Sequence, residues 1–483
     1  MIKNQQGQIL IQIIVFGSVA VLIFGGLVGW ASVNIGISKR EFNRELAIQI
    51  AEAGIDYYRW HLAHAPQDFQ DGTGVPGPYT HIYYDKNDDP IGRFILTITP
   101  PPVGSTLVGI RSEGRVDTDA IVKRTIAVQM SIPSWAKFSV AANADIRFGE
   151  GTEVYGLLHS NGGIRFDGLA HNIVSSARAD YNDPDHIGNN EFSVHTHRNA
   201  PPGNGVNDNF RPLEAPPTAP VPDRSDIFES SRQFPVPAID FTGMTTDLAQ
   251  IKTDAEADGR YFASSGTLGY HIILKNDTFD LYRVTSLIAP PWGCNNSQSQ
   301  TGWGSWSIQA ELLILQNQIF PNNGLIFVED NTWVDGQINS ARLTIASARF
   351  PDNPATRTSI TINKDILYTN YDGQDVVALM AQQNINAGLK SNNILRIDAA
   401  LVAQNGRIGR YYYRSACDPD RIKNIITLYG TLITNQRYGF AYTDGSGYQT
   451  RNIIYDANLL YTPPPSFPLT SDQYTTLSWK EVK

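Results

Sequence analysis

Cysteine is nearly absent from this chain, since Cys294 and Cys417 are the only two in 483 residues. So few cysteines exclude a disulfide-dense scaffold and any metal site built from several thiolates. The wide separation of the two along the sequence gives no indication of whether they are bonded to each other. The sequence alone therefore leaves their pairing open.

Charge is scarce as well. Charged residues make up 18% of the chain, the formal net charge is −9 and the isoelectric point is about 5.5. Such a chain lacks the broad basic surface that nucleic-acid binding requires, so we predict no specific nucleic-acid partner. Glycine and proline are plentiful, at 40 and 28 residues. Together with frequent Tyr, Asn and Thr in the C-terminal half, they are typical of a β-rich extracellular protein.

One long stretch has no formal charge at all, the 35 residues between Lys3 and Lys39. Within it, the 23 residues Ile9–Ala31 (ILIQIIVFGSVAVLIFGGLVGWA) are almost entirely apolar. A helix of that length measures about 35 Å, enough to cross a bilayer core of about 30 Å. We therefore predict that residues 9–31 contact the lipid bilayer.

The helix is predicted to continue beyond the apolar stretch. An apolar stripe recurs at steps of three and four residues, which is the spacing of one helix face. Pro66 would end the helix, because proline cannot continue it. We predict one helix over residues 8–65, apolar in its first half and amphipathic in its second. The stripe consists of Phe42, Leu46, Ile50, Ala53 and Tyr57.

The N-terminal residues resemble those of a known family. The leader MIKNQQG (residues 1–7), the apolar helix and the segment LAIQIAEAGIDYYRWHL (Leu46–Leu62) look like the N-termini of type IV pilins, especially minor pilins of the PilX kind. The resemblance implies cleavage by a leader peptidase between Gly7 and Gln8. Pilins usually carry a glutamate at the fifth mature position, where it pairs its charge with a neighbouring subunit's N-terminal amine. This chain has Gln12 there, a neutral amide that can hydrogen-bond but carries no charge.

The same resemblance implies partners and a location. The partners are other pilin-like subunits and the inner-membrane assembly machinery. The chain would cross the bacterial inner membrane once, with its N-terminus cytoplasmic, and reach the extracellular surface or the pilus after assembly. In the fibre, four small residues of the helix would permit close helix packing. They are Gly17, Gly25, Gly26 and Gly29.

Two other interpretations of the N-terminus stay open. A cleaved secretory signal would be cut after Ala31, although its apolar run is normally only about 7–15 residues long. An uncleaved single-pass anchor fits the length and hydropathy equally well.

Beyond Pro66, residues 79–132 predict a small antiparallel sheet. Four β-rich runs alternate there with turn sequences such as DKNDDPIG. A helix followed by such a sheet is also the architecture that the pilin resemblance implies. The runs are Tyr79–Tyr84, Phe94–Thr99, Leu107–Val116 and Ile121–Ile132.

Residues 138–483 predict a domain that resembles a parallel β-helix. Short β-branched runs alternate with Asn/Gly/Asp turns, and motifs recur, as in ALMAQQNINA (378–387) and ALVAQNGRIG (400–409). Stacked coils of this kind share one core. A long insertion is expected at about 179–322, and the region is similar to an uncharacterised bacterial surface domain. The predicted fold class is thus mainly β with one long N-terminal α-helix; a mixed β-sandwich is the alternative for this domain.

We predict no catalytic residue, no metal site and no cofactor. Parallel β-helices often house polysaccharide enzymes, and paired carboxylates could serve hydrolysis. Carboxylates at coil corners more commonly cap turns, which favours a non-catalytic domain. His186, His195 and His197 could ligate a metal, but exposed loop histidines are commoner and no further ligands stand out. The carboxylates considered are Glu329, Asp330 and Asp335, and the pair Asp365 and Asp398.

Two aromatic segments are candidate ligand contacts. One is a Gly/Ser/Asn-rich loop suited to stacking on the sugar rings of a surface glycan. The other is a basic aromatic run. Packing of these segments within the fold is the favoured alternative for both. The candidate residues are Trp292, Trp303 and Trp306 in the loop, and Arg410, Tyr411, Tyr412 and Arg414 in the run.

These features predict a structural or adhesive minor-pilin-like subunit of a type IV pilus-like filament that displays a β-helical head on the cell surface. The alternatives are an uncleaved single-pass membrane-anchored surface adhesin and, third, a β-helical polysaccharide-active enzyme. The sequence names no ligand and no stoichiometry, and it does not distinguish tip from shaft placement.

Overall fold

The computed structural model of the chain describes residues 6–102, 105–241, 244–470 and 473–482. It divides into two compact units. The helix unit comprises residues 1–100, 108–131 and 473–483, and the head unit comprises residues 101–107 and 132–472. Strands are numbered β1 to β31 in chain order. Residues 1–5 of the predicted leader lie outside the described residues.

One helix, α1 (Gln6–His64), opens the helix unit and runs for 59 residues without interruption. Its apolar first half is exposed, with no residue of its most apolar window buried. It is long and apolar enough to cross a membrane. The helix ends two residues before Pro66, as the sequence predicts. The long N-terminal helix of the predicted fold class is therefore confirmed.

The predicted stripe of α1 is fully buried only at Ile50. The sequence selects Phe42 and the large apolar residues that follow it, but Phe42 is 66% exposed. Three small residues of the packed face, Ala47, Ala51 and Gly54, let the helix backbone approach the sheet closely. Larger neighbours such as Leu46 and Tyr57 flank it and are half-buried. The buried residues are Asn43, Ala47, Ile50, Ala51, Gly54, Ile55, Tyr58 and Leu62.

A five-stranded antiparallel sheet packs on this face, in the order β1-β2-β3-β4-β31. Its strands are β1 (Tyr79–Tyr84), β2 (Pro90–Thr99), β3 (Val108–Val116), β4 (Asp119–Ser131) and β31 (Thr475–Val482). The first four lie within the predicted unit of residues 79–132. The fifth corrects the predicted boundary, since residues 138–483 were assigned to the β-helix. Strand β31 instead returns to the helix unit, where it pairs with β4 in antiparallel fashion.

The head unit is a parallel β-helix with three strand faces. Face 1 stacks in the order β16 (Arg260–Phe262), β20 (Leu325–Val328), β22 (Arg342–Ser347), β25 (Val376–Ala381), the second half of β27 (Ile394–Ala403), the second half of β29 (Ile422–Thr434), β5 (Val140–Ala142), β8 (Leu158–Ser160), β11 (Val174–Ser176) and β15 (Arg232–Gln233). Face 2 stacks as β17 (Gly269–Asn276), β21 (Thr332–Ile338), β24 (Ile366–Tyr368), the first halves of β27 and β29, β30 (Gly447–Tyr455), β7 (Thr152–Tyr155) and β10 (Leu169–Ala170).

Face 3 consists of two shorter stacks. One runs from β21 through β23 (Ile360–Thr361) and β26 (Ile385–Ala387) to β28 (Ile408–Arg410). The other contains β6 (Ile146–Phe148), β9 (Ile164–Phe166) and β14 (Val194–His195). Beside it, β12 (Asp180–Tyr181) and β13 (Glu191–Phe192) form an antiparallel pair. Strands β18 (Thr278–Leu287) and β19 (Ile308–Ile319) add to β17 in antiparallel fashion.

The chain enters the stack in its middle, because β5 pairs with β29 across almost 300 residues of sequence. The coils that follow extend to β15, after which helix α2 (Met244–Asp258) leads to β16 at the opposite end. The predicted insertion at 179–322 is therefore partly wrong, since β14 to β17 pair in parallel with other coils. The strands of this region that lie outside the parallel stack are the antiparallel pair β12–β13 together with β18 and β19.

Face 1 is buried on both sides, which accounts for its almost continuous apolar runs. All six residues of β25 (VVALMA) are buried. Alternate side chains enter the interior of the β-helix, such as Leu379, or an outer layer beneath α2, such as Met380. The remaining helices are α3 (Asn458–Tyr461) and the short 3-10 segments Trp135–Lys137, Pro212–Glu214 and Ser415–Cys417.

Candidate functional site

Five buried side chains with imidazole or carboxylate groups meet in the head unit. They come from one 15-residue segment of the sequence. Their side chains are between 0% and 5% exposed. We name them the histidine–carboxylate cluster. Its members are Asp183, His186, Glu191, His195 and His197.

Local strand pairing assembles the cluster. Strands β12 and β13 are antiparallel, so the turn that joins them brings Asp183 and His186 back towards Glu191. His195 and His197 are alternate residues of an extended segment, and alternate side chains lie on the same side of such a segment. Strand β14 holds this segment in place by pairing in parallel with β9.

The donor atoms of the cluster converge. The Nε2 atoms lie 2.8 Å (His186), 3.2 Å (His195) and 3.0 Å (His197) from the nearest carboxylate oxygen of the glutamate. The same three atoms lie 3.6, 3.7 and 4.0 Å from Asp183 Oδ2. Yet Asp183 Oδ2 and the Nε2 atoms of His195 and His197 make no hydrogen bond.

The other ring nitrogens are held by backbone carbonyls. His195 Nδ1 lies 3.0 Å from the carbonyl oxygen of Phe192, and His197 Nδ1 lies 2.8 Å from that of Asn207. A carbonyl oxygen can only accept, so each Nδ1 carries the donated hydrogen. Nε2 is therefore the ring nitrogen that faces the cluster, with a lone pair in the neutral ring and an N–H in the protonated ring.

Charge compensation stabilises the carboxylates of the cluster. Burial opposes ionisation of Asp183, but the His195 ring, the Asp185 backbone N–H and Arg165 together lower its pKa below the usual value. Burial likewise opposes ionisation of Glu191, and the neighbouring His197 and His195 rings outweigh it and lower that pKa. Both carboxylates are therefore ionised at neutral pH.

This geometry differs from the prediction of no metal site. The sequence interpretation placed the histidines in an exposed loop without further ligands. In the structure they are buried, and Asp183 and Glu191 supply the missing donor atoms. The spacing D-x2-H-x4-E-x3-H-x-H was the available signal. It is detectable only when carboxylates are counted together with histidines.

A polar cleft of about 940 Å³ lies next to the cluster, with Asp185 among its lining residues. Several of its charges are already paired. Arg437 makes two hydrogen bonds to Asp185, at 2.9 and 2.6 Å, and Arg147 donates to Asp208 at 2.8 Å. Paired charges and amides of this kind suit a neutral polar ligand better than a strongly charged one. Other lining residues are Gln300, Thr301, Gln383, Asn384, Arg407, Tyr442 and Arg451.

The three candidate tryptophans differ in their exposure to solvent. Trp292 is 99% exposed. Trp303 and Trp306 are partly buried, and their indole N–H groups donate to the carbonyl oxygens of Tyr412 and Gly302. Their loop reaches the cleft through Gln300 and Thr301 rather than through its tryptophans. Of the three, Trp292 is the one most accessible to a ligand.

The residues of the basic aromatic run also differ in their exposure to solvent. Tyr411 is 1% exposed, which contradicts its assignment as a ligand contact. Tyr412 is half-buried, with its hydroxyl 3.0 Å from Asp444 Oδ2. Arg414 is exposed and donates to Asn295 Oδ1 at 3.3 Å. The predicted pattern fails here because Arg410, Tyr411 and Tyr413 are buried within the fold.

Arg410 is likewise misassigned as a ligand contact, since its side chain is fully buried. Its guanidinium donates to the carbonyl oxygens of Gly388, Leu389 and Asp420 and to Ser391 Oγ. Burial lowers the pKa of this guanidinium from its ordinary value, but arginine keeps its charge in proteins. Arg410 is therefore a structural residue that satisfies backbone acceptors inside the head.

We expect Arg410→Met to lower the stability of the head unit by about 3 kcal/mol, because hydrogen bonds to a charged group contribute about 1.5–3 kcal/mol each and buried acceptors lose their donor. The measurement is denaturant unfolding of the purified protein. The matched control is Arg414→Met, which removes an exposed guanidinium of the same run and should change stability by no more than about 0.5 kcal/mol. Equal effects of the two substitutions would contradict the assigned role.

The two cysteines are bonded to each other. A disulfide joins Cys294 to Cys417 across 123 positions of sequence. It ties the tryptophan loop to the 3-10 segment Ser415–Cys417, beside the buried Tyr411 and Tyr413. The structure thus resolves a pairing that the sequence left open.

Three of the five carboxylates considered for hydrolysis accept hydrogen bonds from neighbouring groups. Asp398 accepts hydrogen bonds from Arg396 and Tyr371, and Asp365 accepts from the Arg396 backbone N–H. Asp330 accepts hydrogen bonds from the hydroxyl group and from the backbone N–H of Ser265. These contacts are those of residues that secure turns.

The residues singled out in α1 can be placed only in part. Gly7 and Gln8 lie within the helix, but their side chains lie outside the described residues. Gln12 is exposed. Open space surrounds the four glycines of the apolar half. Their packing against other helices remains a prediction.

No protein-family model matches this chain, and no curated protein matches it significantly. The chain is similar to the crystal structure of the competence-associated pilin ComZ from Thermus thermophilus, with 13% sequence identity and a TM-score of 0.32. The similarity covers 91% of this chain and 97% of that one.

Proposed function

We propose that this protein is a minor-pilin-like subunit that an apolar helix anchors in the bacterial inner membrane and that displays a β-helical head on the cell surface after assembly. The observation that carries the proposal is α1 itself. Its first half is exposed and apolar, and its second half packs against an antiparallel sheet. Such a helix can exchange lipid contacts for contacts with the helices of other subunits.

Polar side chains of α1 form hydrogen bonds within the helix, which suits both a lipid surrounding and packing against the helices of other subunits. Ser18 Oγ donates to the carbonyl oxygen of Ile14 at 2.7 Å, and Asn34 Nδ2 donates to that of Trp30 at 3.0 Å. Polar groups in hydrocarbon must find such partners within the protein. The glycines at 17, 25, 26 and 29 would allow neighbouring helices to approach closely. The partners in this proposal are other pilin-like subunits and the membrane assembly machinery.

The proposal gives the head an adhesive and non-catalytic role. The exposed Trp292 and the polar cleft are the features suited to a surface glycan. The second candidate is an uncleaved single-pass membrane-anchored adhesin. Gln12 favours it, because pilins usually place a glutamate at that position.

The N-terminus of the mature protein distinguishes these candidates. We expect protein isolated from the source membrane to begin at Gln8, by N-terminal sequencing and intact mass. A start at Met1 would support the uncleaved anchor, and a start at Ser32 would indicate a secretory peptidase. The matched control is Gly7→Leu, which should retain residues 1–7 if the leader peptidase requires the glycine.

A glycan array tests the role of the head. Binding without turnover would support adhesion, whereas new reducing ends would support the polysaccharide enzyme. Trp292→Ala should weaken binding, while Trp306→Phe, at a partly buried position, serves as the control for the same loop. Unchanged binding by Trp292→Ala would contradict the assignment of that residue.

A further inference from the structure

The histidine–carboxylate cluster has the geometry of a metal centre. Four ligand atoms placed about 2.0–2.1 Å from one zinc ion lie about 3.3 Å from one another. In the cluster, each Nε2 lies 2.8–3.2 Å from a Glu191 oxygen and 3.6–4.0 Å from Asp183 Oδ2. These separations bracket the spacing of a coordination shell.

Hydrogen bonding within the cluster does not explain its arrangement. His195 Nε2, His197 Nε2 and Asp183 Oδ2 are buried polar atoms without a hydrogen-bond partner. Buried polar groups are normally satisfied, and leaving one unsatisfied costs about 1–3 kcal/mol. Asp183 and His197 belong to the four residues whose ligand atoms all lie within 4.8 Å of one another, so one cation bound there would accept their free lone pairs.

The surrounding groups orient the donors as metal sites require. Metal-binding histidines usually donate their other ring N–H to a carbonyl or carboxylate. His195 and His197 do so through Nδ1, to the carbonyl oxygens of Phe192 and Asn207. The carboxylates are secured too, since Asp183 Oδ1 accepts from the Asp185 N–H at 2.9 Å.

We propose that Asp183, His186, Glu191 and His197 bind one divalent transition-metal ion, best matched by Zn²⁺, with His195 beside them. Imidazole donors select zinc and its neighbours over calcium and magnesium, which prefer oxygen ligands alone. The two carboxylates balance the charge of the ion. This inference concerns the head unit alone and does not depend on the proposed function.

The burial of the ligands assigns a structural role to the ion. Catalytic zinc sites keep an open position for water, whereas structural sites are closed. The segment between β11 and β15 has few ladder hydrogen bonds, because β12, β13 and β14 contain only two residues each. The ion ties this segment together where strand pairing is sparse.

The test uses the full-length protein in detergent. It is stripped with a chelator, dialysed into metal-free buffer, and titrated with Zn²⁺ or with Co²⁺, whose visible spectrum reports its ligands. We expect uptake of about one equivalent, measured by elemental analysis, and a rise in the unfolding temperature when the metal is restored. Failure of the stripped protein to take up either metal stoichiometrically would overturn the proposal.

Variants identify the ligands. The double substitution His195→Ala with His197→Ala should weaken Zn²⁺ binding at least about 100-fold, since loss of an outer-shell partner alone costs about 10–100-fold. His171→Ala is the matched control, because that histidine lies in the same unit and pairs with Glu229 instead. Glu191→Gln keeps the side-chain shape and covers the case in which the double variant does not fold. Equal Zn²⁺ affinity of wild type and Glu191→Gln, with an unchanged Co²⁺ spectrum, would contradict the ligand assignment.

Discussion

Deletion of residues 1–38 should release the protein from lipid and leave the rest of it folded. Large apolar side chains from Ile9 to Ile37 are exposed on this part of α1, and the first buried residue of the helix is Asn43. Each such side chain contributes about 1.5–3 kcal/mol when it leaves water, so the segment contributes on the order of tens of kcal/mol to membrane binding. We expect the full-length protein to float with lipid vesicles and the truncated protein to stay in the soluble fraction.

Two measurements make this result specific. Deletion of residues 1–7 alone is the matched control and should leave vesicle binding unchanged, because it removes the predicted leader and keeps the apolar helix. The unfolding transition of the truncated protein should match that of the full-length protein in detergent. Vesicle binding by the truncated protein would place the lipid contact elsewhere in the chain.

Features that the sequence predicts correctly depend on residues close together in the chain. The charge-free run that ends at Lys39 and the position of Pro66 predict the extent of α1, because helix hydrogen bonds join residues only four apart. The strands between Tyr79 and Ser131 follow for the same reason, since each hairpin pairs neighbouring runs. Recurring motifs in residues 378–409 predict the parallel stack, because adjacent coils repeat the same pattern.

Features that depend on distant pairing were not predictable. The contact of β5 with β29 and the return of β31 to β4 join segments far apart in sequence. Short runs such as Val140–Ala142 and Thr475–Val482 have no pattern that identifies their partners. The stacking order therefore differs from the chain order, and the predicted boundaries of the insertion and of the last domain were wrong.

The candidate sites illustrate the same limit at single residues. Asp183 and Glu191 join the histidines only because β12 and β13 pair, and strands of two residues leave no periodic signal. Arg410 carries a charge that suggests a surface position, yet backbone carbonyls surround its guanidinium. Composition predicts which groups a segment offers, whereas tertiary contacts decide which of them stay accessible.

Substitution of Gly114 should strongly destabilise the helix unit. Gly114 lies in β3 where the sheet meets α1. A Cβ atom at this position would lie 2.1 Å from the backbone oxygen of Ala47 and 2.6 Å from the backbone nitrogen of Ala51. Helix backbone cannot yield as a flexible side chain can, so the methyl group must push α1 away from the sheet. We expect Gly114→Ala to destabilise the helix unit by about 3 kcal/mol, the upper part of the usual range for overpacking.

Gly109→Ala is the matched control, because Gly109 lies in the same strand and its added Cβ would meet only the Thr99 side chain, at 3.2 Å. This control should cost less than about 1 kcal/mol, since a side chain can move aside. Limited trypsin digestion gives the measurement, because Arg44 and Arg59 lie on the docked half of α1. Cleavage there should accelerate in Gly114→Ala and remain slow in Gly109→Ala, while the head unit resists digestion in both. Equal cleavage rates in the two variants would show that close approach at Gly114 does not hold the helix on the sheet.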